Sequence, residues 1–287
     1  MANQKHLDIL NQGVEAWNRW RQEHPEIQPE LPDSDLSSAN LAAAQMDRAV
    51  LSHCHLDNAE LEGVHMDHAD LWAAHLQQAN LRGAHLDEAN LNRANLEGAD
   101  LAGAHMERAD LWEAQLDRAN LEQAVLAGAD LGGACLESAN LRGAHLENAQ
   151  LNVAYLAGAD LREAHLEGAH MGGSHLKNAN LTACYLERAD LWEAHVEGAN
   201  LTDAKGLTQG QLDQALGDSS TQLPEGLRAP SHWTEASGRG DGRADVETLL
   251  VRQVINDESV EDASAAAMRR KTSEPAVKRP RPGAIAP

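Results

Sequence analysis

From Leu36 to Leu201 an apolar residue falls on every fifth position without a slip. Two residues before each stands a small one, as at Ala39, Ala44, Ala49 and Cys54. The stretch AHLDEANLNRANLEGADLAGAHMERADLWEA is typical. A helix repeats at 3.6 residues and a strand at 2, so a period of five predicts neither an amphipathic helix nor an ordinary strand. A short period held this long predicts a stacked repeat architecture. Of the 34 central positions, 29 are Leu, with Met46, Met66, Met106, Met171 and Val196 as exceptions. Of the positions two earlier, 29 are Ala; the others are Ser34, Cys54, Val64, Ser174 and Cys184.

The flanks follow other rules. Leu7, Leu10, Val14, Trp17 and Trp20 recur at helical spacing and Pro25, Pro29 and Pro32 end the pattern, which predicts one amphipathic helix over 5–23. Its apolar stripe is expected to cover the open first coil of the repeat, since a solenoid end exposes apolar residues and unpaired edge groups. After Ala204 the register breaks at Gly206, and a short helix is predicted with Thr208 as N-cap, Gln211 three later and Gly217 as the stop. From Glu235 the composition turns to Ser, Gly, Ala, Arg and Pro, which predicts a linker, one short helix in ADVETLLVRQVIN and a disordered basic tail. The chain is thus expected to divide into an N-terminal helix and entry segment (1–33), a repeat rod (34–205), a C-terminal closing segment (206–234) and a linker with tail (235–287).

The repeat resembles the pentapeptide repeat family, whose pattern is A-[D/N]-L-x-x. The resemblance implies an all-β solenoid, a right-handed quadrilateral β-helix with four pentapeptides to a coil. Thirty-four units would then make about 8.5 coils, and at ~4.8 Å per strand layer a rod about 40 Å long. Leu and Ala would point inward and the other three positions outward. The closing segment is similar to C-terminal caps of family members, some of which also form a twofold dimer contact there.

Composition fits a lattice of identical small slots rather than an irregular core. The chain of 287 residues has no Phe and only 3% aromatics. Its formal net charge is −22, which disfavours nucleic acid and anionic membranes as direct partners. The start MANQKHLDIL has no signal-peptide apolar region, and no apolar run reaches the ~18 residues of a membrane span, so a cytoplasmic product is expected. Cys54, Cys135 and Cys184 are too widely spaced for a disulfide framework or a zinc motif.

The charge belongs to the rod: residues 36–205 hold 26 acids and 10 bases. About 40 Å of duplex DNA carries roughly 24 charges. A second, ten-residue period makes the faces unequal. At positions 40, 50 and on to 200, the residue before the central one is Asp or Asn in 13 of 17 cases; at 35, 45 and on to 195 it is His in 9 of 17. One face should therefore carry Asp70, Asp110, Asp130 and Asp190 with Trp72, Trp112 and Trp192, and this is the expected partner-binding face. The opposite face should carry an Asn ladder through Asn80, Asn120, Asn140, Asn180 and Asn200. His65, His85, His105, His145 and His165 should stack on a third face, and His55, His75, His175 and His195 on the fourth. Imidazoles stacked in register point the same way rather than converge as zinc ligands must, so no metal site and no cofactor are expected. A pH response is, since imidazole changes charge near ~6.5.

Nothing in the sequence marks an enzyme: there is no Gly-rich phosphate loop, no HExxH and no nucleophile elbow. The resemblance implies a function instead. Several members of the family act as acidic DNA mimics on DNA gyrase and topoisomerase IV, giving resistance to quinolones or self-immunity to topoisomerase poisons. This chain differs from the quinolone-resistance members in having no loops between coils and Leu without Phe in the core. The alternative is a structural or scaffolding module with no topoisomerase target. A third role, an electrostatic tether, would rest on Arg269, Arg270, Lys271, Lys278, Arg279 and Arg281. Arg239, Gly240 and Asp241 match an integrin-type tripeptide, which in a cytoplasmic linker carries little weight.

Overall fold

The computed structural model describes residues 2–233. The linker, the tail helix, the Arg239–Asp241 tripeptide and the basic tail lie outside the described residues. The rest is a β-helix preceded by two helices, α1 (Gln4–Leu10) and α2 (Val14–Glu23), and closed over by a third, α3 (Gln209–Leu212).

The strands are one residue wide because the chain turns once in every five residues. Parallel bridges join each such residue to the one twenty further on, from Glu30–Val50 to Tyr185–Lys205. Four bridges fall in each twenty-residue circuit, which gives the coil four sides. The central Leu or Met and the small residue before it are shielded almost completely, so the core is a column of repeated slots.

Backbone pairing explains the five-residue unit. Four of its N–H groups donate to carbonyls. In the first repeat Leu36 N donates to His55 O (2.7 Å) and Ser38 N to Asp57 O (2.8 Å), while Ala39 N closes the turn onto Leu36 O (3.0 Å). The residue before the central Leu donates to the preceding coil, as His55 N does to Ser34 O (2.9 Å). The fifth N–H, on the residue after the Leu, is left for a side chain. Wherever Asp or Asn stands just before the Leu, its Oδ1 takes that proton, as in Trp72 N to Asp70 Oδ1 and Asn92 N to Asn90 Oδ1. The Asp/Asn preference is thus a turn requirement; most of these residues, Asp70 and Asp110 among them, sit half-buried against the wall, while Asp130 and Asp190 are exposed.

The turn has a second requirement. The residue two after each central position has φ near +60° in all 34 repeats, from Ser38 to Asp203. Only 11 of these are Gly. L-residues in this region cost about 1–2 kcal/mol each, offset here by a hydrogen bond to the next coil at nearly every step.

At the N-terminal end the expected single helix is two. Gly13, at φ +101°, lies between α1 and α2 and turns the chain there. Trp17 on α2 is fully buried and its Nε1 donates to Gln45 O (3.0 Å). Asn18 donates to Ala43 O and accepts from Gln45 N, pairing edge groups of the first coil. On α1, His6 is buried and its Nδ1 accepts from Glu30 N (3.0 Å).

At the other end the twenty-residue step slips: His195 pairs with Leu216 and Asn200 with Gln222. Helix α3 takes the side just before them, between Lys205 and Leu216. It carries the predicted capping box of Thr208 and Gln211, but ends at Leu212 with Asp213 as C-cap rather than at Gly217. Gln211 Nε2 also donates to Ala189 O, a carbonyl that a continuing coil would have paired, and to Leu186 O, which the Ala189 N–H already reaches.

Candidate functional site

Asp70, Asp110, Asp130 and Asp190 lie on one face, linked by the bridge series that runs through residues 50, 70, 90 and on to 190. Each donates nothing and accepts its own turn's N–H through Oδ1, from Trp72, Trp112, Gly132 and Trp192 respectively. Asp70 Oδ1 also takes a proton from Asn90 Nδ2 one coil on (2.9 Å). These carboxylates are therefore turn caps first, through Oδ1, and only Asp130 and Asp190 are exposed.

The three tryptophans are not equivalent. Trp192 is 57% exposed, and Val153, two coils earlier on the same face, is 42% exposed. Trp72 is 38% exposed and meets the edge of His53 (4.6 Å between centroids). Trp112 is half-buried, leaning across Gly132 of the next coil, where even a Cβ would come within 3.2 Å of its ring. Arg93 stacks on it (5.2 Å to the centroid) and pairs with Glu113 (2.9 Å). Sequence alone could not rank the three, because the rank depends on the residues one coil away.

The histidines stack as their spacing predicts. His65–His85 centroids are 4.5 Å apart with planes 3° from parallel, and His145–His165 are 4.7 Å apart at 6°. Tyr185 continues the second stack at 4.4 Å. What the ladder reading missed is the acid two residues after most of the histidines; His75 and His175 are followed instead by Gln77 and Lys177. His145 Nδ1 lies 3.0 Å from Glu147 Oε1, His165 Nδ1 3.3 Å from Glu167 Oε1, and His195 Nδ1 3.1 Å from Glu197 Oε1. The H-x-E spacing was visible; that both side chains lie on one side of the wall was not. Burial pushes the Glu197 carboxyl up, but its hydrogen bonds from His195 and the backbone outweigh that and hold it below the usual range. Asp160 is lowered mainly by its hydrogen bond from Arg162.

The thiols offer little chemistry. Burial pushes Cys54 and Cys135 up to about 11 and Cys184 to about 12, far from the thiolate that a nucleophile requires. Among the described residues no helix is long and apolar enough to cross a membrane.

Comparison with known proteins fits this architecture. A family model described as pentapeptide repeats matches in eight copies, over residues 34–72, 65–108, 104–143, 139–178 and 179–215. HetL, a pentapeptide repeat protein involved in heterocyst differentiation regulation from the cyanobacterium Nostoc sp. strain PCC 7120, is 30% identical. The match covers 71% of this chain and 88% of HetL, at a TM-score of 0.43. A second pentapeptide repeat protein from Nostoc PCC 7120 is 31% identical over 43% of this chain and 77% of its own, at a TM-score of 0.22. Full-length QnrB1, a plasmid-mediated fluoroquinolone resistance protein, is 14% identical over 78% of this chain and 96% of its own, at a TM-score of 0.32. None of the curated protein sequences matches. Sequence likeness rather than superposition carries the assignment, and it implies a right-handed hand for the β-helix. With its unbroken five-residue units and the family match running from residue 34 to residue 215, the chain belongs to the pentapeptide repeat family.

Proposed function

We propose that the chain is a non-catalytic binding protein that presents an acidic, DNA-like rod to DNA gyrase or a related type II topoisomerase, and so protects that enzyme from its inhibitors. One observation carries the reading: acids outnumber bases on each of the four faces, so the negative charge surrounds the rod as it surrounds a duplex. Six of the rod's ten bases are held in ion pairs with acids: Arg82–Asp100, Arg93–Glu113, Arg108–Glu88, Arg118–Glu97, Arg142–Glu163 and Arg162–Asp160. A basic saddle that grips DNA by its phosphates would meet carboxylates on whichever side it closed. The Asp/Trp face, with the carboxylates of Asp70, Asp110, Asp130 and Asp190 and the exposed Trp192, is the preferred contact. A twofold dimer through the closing segment would lengthen the rod.

The turn geometry supplies a clean test. Asn occupies the same slot at Asn90, Asn120 and Asn140 and makes the same bond to the backbone. Replacing Asp70, Asp110, Asp130 and Asp190 together by Asn should therefore keep the turns and remove four charges. Gyrase supercoiling is measured with and without a topoisomerase poison while the purified chain is added. The wild type should inhibit supercoiling or rescue the enzyme at micromolar concentration, the Asn variant should do so more weakly, and added salt should weaken both. No inhibition and no rescue by the wild type would leave the scaffold reading in its place.

A further inference from the structure

We propose that His145, Glu147, His165 and Glu167 form a binding site for a divalent transition-metal ion of the Zn(II), Cu(II) or Ni(II) class, spanning two adjacent coils. The ligand atoms of His145, Glu147 and His165 lie within 4.8 Å of one another. Glu147 Oε1 is 3.0 Å from His145 Nδ1 and 4.0 Å from His165 Nδ1, and Glu167 Oε1 is 3.3 Å from His165 Nδ1. Tetrahedral ligands at ~2.0–2.1 Å from a zinc ion stand about 3.3 Å apart; the two His–Glu contacts within each coil, 3.0 and 3.3 Å, match that spacing, while the contact between coils, 4.0 Å, would have to shorten as the ion binds. The parallel wall brings this about. The 145–165 step stacks the two imidazoles with their Nδ1 edges toward the glutamates, and the glutamates follow at the same step.

A second observation points to a cation ligand. Glu147 Oε2 and Glu167 Oε2 are both buried and both lack a hydrogen-bond partner. A buried carboxylate oxygen without a donor is costly, and a cation bound to the carboxylate would offset that cost. Imidazole nitrogen with carboxylate oxygen is the donor set of borderline transition metals rather than of calcium or magnesium.

The rest of the same ladder shows why the site is local. Beside His65 and His85 the acids are Asp67 and Asp87, one methylene shorter. Their Oδ1 atoms are taken by backbone N–H groups, of Asp87 (3.0 Å) and Glu107 (2.8 Å). They serve the turn and leave the imidazoles to stack alone. His55, Asp57 and His75 form a second close group, but Gln77 stands where a second carboxylate would be and His55 is half exposed. The expectation of no metal site considered the imidazoles alone; the glutamates beside them change the geometry.

Isothermal titration of the full, tag-free chain with ZnCl₂ tests the site. Saturable binding is expected, weakened at least about tenfold by each of His145→Ala, His165→Ala and Glu147→Gln, and unchanged by His65→Ala with His85→Ala. Melting of the wild type with excess Zn(II) gives a readout free of any folding defect in a variant. Its melting temperature should rise, and the His145→Ala/His165→Ala protein should show no such rise. The proposal falls if the wild type shows no saturable binding. It falls equally if His145→Ala/His165→Ala keeps the affinity and the thermal shift, or if only His55→Ala/His75→Ala removes them.

Discussion

Val153 is the β-branched member of a set of positions that all require a left-handed backbone. It holds φ +57°, and among the described residues no other Val, Ile or Thr has positive φ. The same slot is filled by Asn at Asn58, Asn148 and Asn178. A Cβ-bearing residue pays about 1–2 kcal/mol in this region, and a branched Cβ lies at the upper end; Asn is the non-glycine residue that tolerates it best. Against that stands the burial lost on removing the side chain. Full burial of Val stabilises by roughly 1.5–3 kcal/mol. Val153 is 42% exposed, so roughly 0.9–1.7 kcal/mol rests on its burial, and Asn, of similar size, would keep about half of that contact, leaving about 0.5–1 kcal/mol at stake. Val153→Asn should therefore stabilise by about 0.5–1 kcal/mol, a rise of roughly 1–4 °C in melting temperature for a body of this size. Val153→Gly should come out near neutral, because glycine returns about 0.5–1 kcal/mol of chain entropy to the unfolded state. The mirror change, Asn148→Val at φ +58°, should cost about 1–2 kcal/mol. Urea denaturation followed by far-UV circular dichroism reads all three. If Val153→Asn is no more stable than the wild type while Asn148→Val is harmless, backbone strain is not what limits this slot.

Leu116, fully buried in mid-rod, cannot be replaced by collapse from either side, so Leu116→Ala should lose about 2–5 kcal/mol by urea denaturation. Asp110→Ala strands the Trp112 N–H and should cost about 0.5–1.5 kcal/mol, whereas Asp110→Asn should be close to neutral in the same assay. Burial holds the His6 imidazole below its usual value, with nearby Glu30 opposing, and its Nδ1 must be unprotonated to accept the Glu30 N–H. The unfolded chain then binds the proton more readily, so stability at this end should fall as pH drops below ~6.5. The protection factor of the Glu30 amide, taken relative to the intrinsic exchange rate at each pH, should fall between about pH 7.5 and about pH 5, and should not do so in the same way for amides in mid-rod. Equal behaviour at both places would refute the assignment to His6.

The five-residue period carried the architecture by itself because each unit buries the same two side chains in the same way. Once Leu and Ala are fixed at their two positions, every inward contact is settled by stacking the unit on its copy twenty residues on. The capping box at Thr208 and Gln211 was equally legible, since a cap is made within four residues. The break at Gly13 was not, because the apolar positions on either side keep helical spacing while the backbone turns between them. Nor did the preference for Asp or Asn before each Leu disclose its cause: charge suggests a surface role, and only the pairing of the fifth N–H makes it a turn residue. The positive φ at every third turn residue stayed hidden for the same reason, since Arg, Glu, His and Val occupy it as well as Gly.

Sequence alone thus determined the fold, the inward column and which residues share a face. Tertiary structure decided what each outward side chain does, because its partner lies one coil away. Trp112 is covered by Arg93 and Gly132 while Trp192 is open; Asp67 is spent on a backbone N–H while Glu147 turns to two histidines. A difference of one methylene, set on a wall that repeats every twenty residues, separates a turn cap from a candidate metal ligand.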